Sequence, residues 1–175
     1  NLMHDRLKTI VDLEKYPIQK LESLKIKKLI KKCKTNLDQF SCTTIPNFIL
    51  PESLKIMNAE LEKKIDEVFM SNKRINAYLN SKDEPLLAKD HPKRVFMKRE
   101  NGYLNSNLFS KNSEMKFLYE QEELLRFISA CLGVSPIYRW ADPLACHAYN
   151  VMKPKGILPW HFDSCEFTFS LMIQK

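Results

Sequence analysis

The sequence predicts an α+β domain. Three observations carry that expectation: apolar residues recur at helical spacing through the first two thirds of the chain, they switch to alternation after Ile137, and Gly and Pro punctuate the change. The 175 residues suffice for one domain with a core of its own and are few for two. Within that single domain, residues 1–93 read as an N-terminal helical region with a connecting loop, and residues 94–175 as the part that holds the sheet.

Taken in order, the lysine-rich start carries one amphipathic helix, sketched by Ile18, Leu21, Leu24, Leu29 and Cys33. A short strand-like stretch over 42–49 follows. Pro51 then opens a second helix, in which Leu54, Met57, Leu61, Ile65 and Val68 recur at three- and four-residue steps. Residues 71–93 are polar, include Pro85 and Pro92, and read as a long connection. The sheet is expected to begin over 94–103. A third helix is bounded by Ser113 as N-cap and by Gly133 and Pro136 as stop, with Phe117, Leu118, Gln121, Leu124, Leu125, Ile128 and Leu132 along one side. Strands are predicted over 145–152 and 167–173, joined by a turn-rich link over 153–159.

Composition removes several classes of function. Three glycines and no GxGxxG or GxxxxGK[ST] motif leave no phosphate-cradling loop. No apolar stretch approaches the length of a membrane span. Five cysteines without CxxC spacing, and no signal peptide, fit reduced thiols in a cytoplasmic protein. The net charge of +7 raises the possibility of a nucleic-acid partner, but much of the excess lies in one run from Lys25 to Lys34, where a solvated helix face accounts for it.

The chemistry-bearing motif is Trp160-His161-Phe162-Asp163. In an extended chain residues two apart project to one side, so an imidazole and a carboxylate converge. Two such ligands with a further histidine make the facial triad that binds iron(II) and leaves open positions for oxygen chemistry. The spacing alone also fits a strand histidine that hydrogen-bonds a neighbouring carboxylate.

Further blocks stand in order around this motif: Asp90-His91-Pro92-Lys93-Arg94; Arg99-Glu100-Asn101-Gly102-Tyr103-Leu104; Leu132-Gly133-Val134 with Tyr138-Arg139-Trp140-Ala141-Asp142-Pro143; Asn150-Val151-Met152; and Trp160 to Ser164 leading into Glu166-Phe167-Thr168. Together they resemble a group of iron(II), 2-oxoglutarate-dependent oxygenases that act on free amino acids or similar small molecules and include hydroxylases and radical halogenases. The resemblance implies N-terminal helices packed on a double-stranded β-helix, or jelly roll, with His161 and Asp163 as metal ligands and Fe(II) and 2-oxoglutarate as cofactors. Halogenases of this group replace the carboxylate with Gly or Ala, so Asp163 implies a hydroxylase.

Other positions are candidates of a second order. Asn150 precedes the metal strand, where such enzymes place a contact to the cosubstrate, although a ladder-end asparagine reads the same way. Arg94 and Arg99 offer cations for a substrate carboxylate, or are surface arginines. Asp142 offers an acceptor for a substrate ammonium, or marks an Asp-Pro turn. Trp160 reads as a wall of the site and His147 as a structural histidine, with Cys146 and Cys165 as small residues in the core or near the site.

The third ligand and the arginine that would anchor 2-oxoglutarate are expected beyond residue 175. The jelly roll is accordingly expected to be cut short after the metal-binding strand, and a chain that stops there is expected neither to bind iron tightly nor to turn over. Two other functions compete with the small-molecule hydroxylase: a basic protein that binds or modifies nucleic acid, and a non-catalytic jelly-roll scaffold.

Overall fold

The computed structural model describes residues 2–174. It is a mixed helical and antiparallel structure, in keeping with an α+β class, and divides into two compact units. The first comprises Asn1–Lys63 and Ser106–His147; the second comprises Lys64–Asn105 and Ala148–Lys175, so the expected division at 93/94 falls inside the second.

The first unit is helical: α1 (Leu2–Ile10), α2 (Leu24–Phe40), α3 (Pro51–Glu62), α4 (Glu114–Tyr119) and α5 (Glu122–Leu132). Ser23 caps α2 through its hydroxyl and the N–H of Ile26, and Pro51 occupies the first turn of α3, where its missing N–H costs nothing. Ser113 caps α4 as expected, and Gly133 closes α5 in the left-handed conformation at φ 71°. Leu7, Ile10, Ile18, Ile26, Met57, Leu118 and Phe127 are fully covered, with Phe48 stacked on Phe127 at 6.3 Å. A polar cluster is buried beside them. Glu114 accepts from Ser53 Oγ at 2.6 Å and pairs with Arg6 at 3.3 Å, while its own N–H donates to Glu60. Burial, opposed by that N–H, raises the Glu60 carboxyl above its ordinary range.

Several sequence expectations are corrected here. α1 has no counterpart among the predicted elements. The second helix ends at Glu62, and Ile65 and Val68 fall in and after a 3-10 turn at Ile65–Glu67. The third helix is two helices, because the Gln121 side chain donates to Phe117 O at 2.7 Å while its backbone N–H turns to Leu118 O, breaking the i→i−4 series.

The second unit holds an antiparallel sheet of β1 (Phe69–Ile75), β2 (Met97–Leu104) and β3 (Tyr149–Val151), in the order β1-β2-β3. β1 lies partly in the expected connection. Its polar sequence hides a seven-pair ladder with β2, from Phe69↔Tyr103 to Ile75↔Met97. Fully buried Asn76 ends β1 by accepting from the N–H groups of Tyr78 and Asn80. β3 covers only the end of the strand predicted over 145–152. Upstream, Asp142 accepts from the N–H groups of Leu144 and Ala145, and Ser106 bonds Pro143 and Leu144, which holds the stretch as a turn. Residues 167–173 form no strand, since no ladder partner meets them. Three strands cannot close a barrel of about eight, and the described residues form no jelly roll.

Candidate metal-binding site

The site is built on the β3 side of β2. After β3 the chain leaves the ladder in a turn over 153–156 and rejoins it through Ile157, whose N–H and C=O bond Glu100 at 2.8 and 2.7 Å. Gly156 permits this return: a Cβ there would lie 2.9 Å from both Glu100 O and Lys153 O. The chain then runs on through Leu158 to Asp163 without ladder pairing, so the expectation of a hydrogen-bonded metal strand is corrected. The alternation that the motif needs persists even so. Phe162 points one way, its N–H donating to Ala77 O at 2.8 Å and its ring 5.2 Å from that of Tyr78. His161 and Asp163 meet on the other.

Nε2 of His161 lies 3.2 Å from Oδ1 of Asp163. Nδ1 of His161 is 2.8 Å from Pro159 O, and a carbonyl oxygen can only accept, so Nδ1 carries the proton. In the neutral ring the Nε2 lone pair therefore faces a carboxylate lone pair, an arrangement that a cation between them satisfies, whether a proton or a metal ion. Thr168 Oγ1 donates to the other carboxylate oxygen, Oδ2, at 2.6 Å. Imidazole nitrogen and carboxylate oxygen suit iron(II), and a ligand histidine whose second nitrogen is tied to a carbonyl is the usual way its orientation is fixed. The pair fits two corners of such a site. Among the described residues no group of three His, Cys, Asp or Glu is gathered closely enough to hold a metal. An open cleft of about 330 Å³ adjoins the pair, lined by Leu158, Pro159, Trp160, His161 and Asp163, with Trp160 87% exposed.

Asn150 and Arg99 belong to one network. Arg99 Nε donates to Asn101 Oδ1 at 2.7 Å, and Asn101 Nδ2 donates to Asn150 Oδ1 at 2.9 Å. Asn101 is buried, so it fixes the guanidinium from behind. Lys73 on β1 is the cross-strand partner of Arg99. Like charges directly opposite one another disfavour a sheet unless an anion lies near. Arg94 is engaged differently: it grips Asp83 through two bonds of 2.9 and 3.1 Å and donates to Leu87 O, stapling the loop over 83–94. Asp83 is held below its ordinary range by that guanidinium. Asp142 lies in the helical unit, in the turn already described. So does His147, with Nδ1 3.3 Å from Cys146 Sγ and its ring beside Phe109 and Tyr119; burial, helped by Lys116, lowers it to about 4.

Sequence reasoning singled out neither Asn101 nor Thr168. Asn101 was within reach, since a period of two along β2 places it on one face with Arg99. Thr168 was not, because its bond to Asp163 depends on a bend at 164–166 that no ladder dictates. Comparison with known protein families, curated proteins and solved structures finds no match for this chain.

Proposed function

We propose that this chain carries part of the active site of a non-haem iron(II), 2-oxoglutarate-dependent oxygenase that hydroxylates a small molecule, a free amino acid or a derivative of one. The observation that supports the reading is the 3.2 Å approach of His161 Nε2 to Asp163 Oδ1, with each group held from behind. In this reading the two side chains are metal ligands, a distal histidine and a 2-oxoglutarate-anchoring arginine come from outside the described residues, and the three strands are the first part of a double-stranded β-helix.

Bound there, iron(II) supplies oxygen activation and the attack on an unreactive C–H bond. The protein's share is orientation. Pro159 O keeps the Nδ1 proton in place and so keeps the Nε2 lone pair directed at the site. Thr168 restrains one carboxylate oxygen of Asp163 and leaves the other facing His161. Trp160 offers a flat apolar wall to the cleft. The Arg99 guanidinium, fixed through Nε by Asn101, meets no carboxylate among the described residues, so its terminal nitrogens are available to a ligand carboxylate beside the Asn150 amide.

Two measurements test this. With two ligands in place, Mn(II) used as a paramagnetic probe should broaden the amide resonances of residues 158–163 at concentrations on the order of millimolar. Asp163→Ala should remove the effect. In a chain that also carries the distal histidine, ferrous ion, 2-oxoglutarate and an amino-acid panel should yield succinate coupled to hydroxylation, and the same substitution should lower the rate by about a hundredfold or more. Hydroxylation that survives Asp163→Ala would take that carboxylate out of the ligand set.

A further inference from the structure

The face of the sheet that carries Arg99 holds more positive charge than one ligand carboxylate can balance. Register places Ser71 and Lys73 of β1, Arg99, Asn101 and Tyr103 of β2 and Asn150 of β3 on that one face, and no Asp or Glu of the three strands joins them. Glu100 lies on the opposite face, where it pairs with Lys98. Cations are thus matched on one face and unmatched on the other. Among the described residues no carboxylate lies within ion-pair distance of Lys73 or Arg99. The two are directly opposed in the ladder, so their Cβ atoms lie about 4.5–5.5 Å apart and their charges repel across the strands.

The donors on this face are held in place. Asn101, 3% exposed, accepts from Arg99 Nε at 2.7 Å and donates through Nδ2 to Asn150 Oδ1 at 2.9 Å. Arg99 is fixed by its inner nitrogen, and its terminal nitrogens remain for a ligand. Asn150, whose carbonyl oxygen faces Asn101, offers the N–H groups of its own Nδ2. Lys73 and Asn150 are exposed and Arg99 is half-buried, so all three meet solvent.

Charge decides what such a face takes. One carboxylate is matched by the planar Arg99 fork with the Asn150 amide beside it, which leaves the Lys73 charge unmet. A second carboxylate on the same ligand meets it. We propose that the Arg99 face binds a dicarboxylate, and that the substrate in the oxygenase reading is an amino acid with an acidic side chain, one carboxylate on Arg99 and the other on Lys73. That the ligand is a substrate rests on the oxygenase reading. That this face binds it does not, because neither His161 nor Asp163 takes part.

The test uses the 175-residue chain without metal and follows the Arg99 Nε–H and Asn150 side-chain amide resonances as ligand is added at fixed ionic strength and pH 7. L-Glutamate and L-glutamine are the probes, alike in shape and different by one charge. Glutamate should bind with a Kd on the order of millimolar, and glutamine about five- to tenfold more weakly. Lys73→Gln should erase the preference and leave glutamine binding as it was, whereas Arg99→Gln should remove binding of both. Lys98→Gln, on the opposite face, should change neither. Equal affinities for the two probes, or a preference that survives Lys73→Gln, would overturn the proposal. So would inorganic phosphate binding more tightly than glutamate, since a single compact dianion would then be the fitting ligand. The result is separable from that at the metal ligands: a chain that lacks the Mn(II) response and keeps the glutamate preference upholds the binding face, and the reverse result overturns it alone.

Discussion

The helical unit and the sheet-bearing unit treat their apolar residues in opposite ways. In the first, Leu7, Ile10, Ile18, Ile26, Met57, Leu118 and Phe127 are removed from water, and the buried acid Glu114 is met by Ser53 and Arg6. In the second, among the described residues only Ile75, Leu104 and Tyr149 are buried hydrophobics, while Phe69, Trp160, Phe162, Phe169 and Met172 are half exposed or more. The helical unit is thus held by a core, and the candidate site in the other by short-range polar contacts: Pro159 O on His161, Thr168 on Asp163, Asn101 on Arg99. The contrast teaches that short-range polar contacts can hold a pair of side chains in a defined geometry without a packed core beneath them. In the oxygenase reading, the uncovered apolar side chains are the surface on which further strands would lie.

The largest expected effect sharpens that contrast directly. Phe127 is 1% exposed and stacks on Phe48, so Phe127→Ala should destabilise the helical unit by about 3–5 kcal/mol in urea unfolding. Phe169 is 50% exposed, and Phe169→Ala should change stability by no more than about 0.5 kcal/mol. Equal losses would mean that the two units share one core, and the distinction would fall.

A smaller effect comes from His147. Its folded-state value of about 4 lies below the ordinary 6.5, so the unfolded chain binds the proton more readily than the folded one. Stability from keeping the ring neutral is complete above pH 6.5 and is lost as pH falls from there to about 4. With allowance for partial exposure, that loss amounts to about 1–2 kcal/mol. His147→Gln should flatten this segment of the stability curve relative to the unsubstituted chain. Parallel curves over pH 4–6.5 would refute it.

What could be read from the residues follows the same divide. In the helical unit three local signals coincide with the structure: Ser113 caps, Pro51 opens a helix and Gly133 closes one, whereas the cap at Ser23 was not read and Ile18 and Leu21 lie ahead of the helix they were expected to sketch. Each of the three is a one-turn effect set by neighbours in the chain. One departure, the break at Gln121, arises because a side chain competes for Phe117 O, a choice that helical periodicity cannot reveal. In the sheet unit, pairing is set at a distance. β1 was hidden because Ser71, Asn72 and Lys73 carry little strand propensity, yet β2 lies alongside them, and 167–173 alternates like a strand but meets no partner. The His161 and Asp163 pair was legible because it depends only on alternation over three residues. The network from Arg99 through Asn101 to Asn150 was not, because it needs the register of β2 with β3.

The finest distinction concerns Thr168. Its hydroxyl donates to Asp163 Oδ2 at 2.6 Å, but Asp163 is exposed, so in Thr168→Val water takes over the bond and stability should change by less than about 0.5 kcal/mol. Metal binding is a different matter, because a cation needs the carboxylate already turned toward His161 rather than free to rotate. Removal of the restraint should weaken the Mn(II) effect on residues 158–163 about tenfold. A variant that loses stability but keeps its metal response would make Thr168 part of the packing, and the candidate site would then lose the feature that sets it apart from the core-held helical unit.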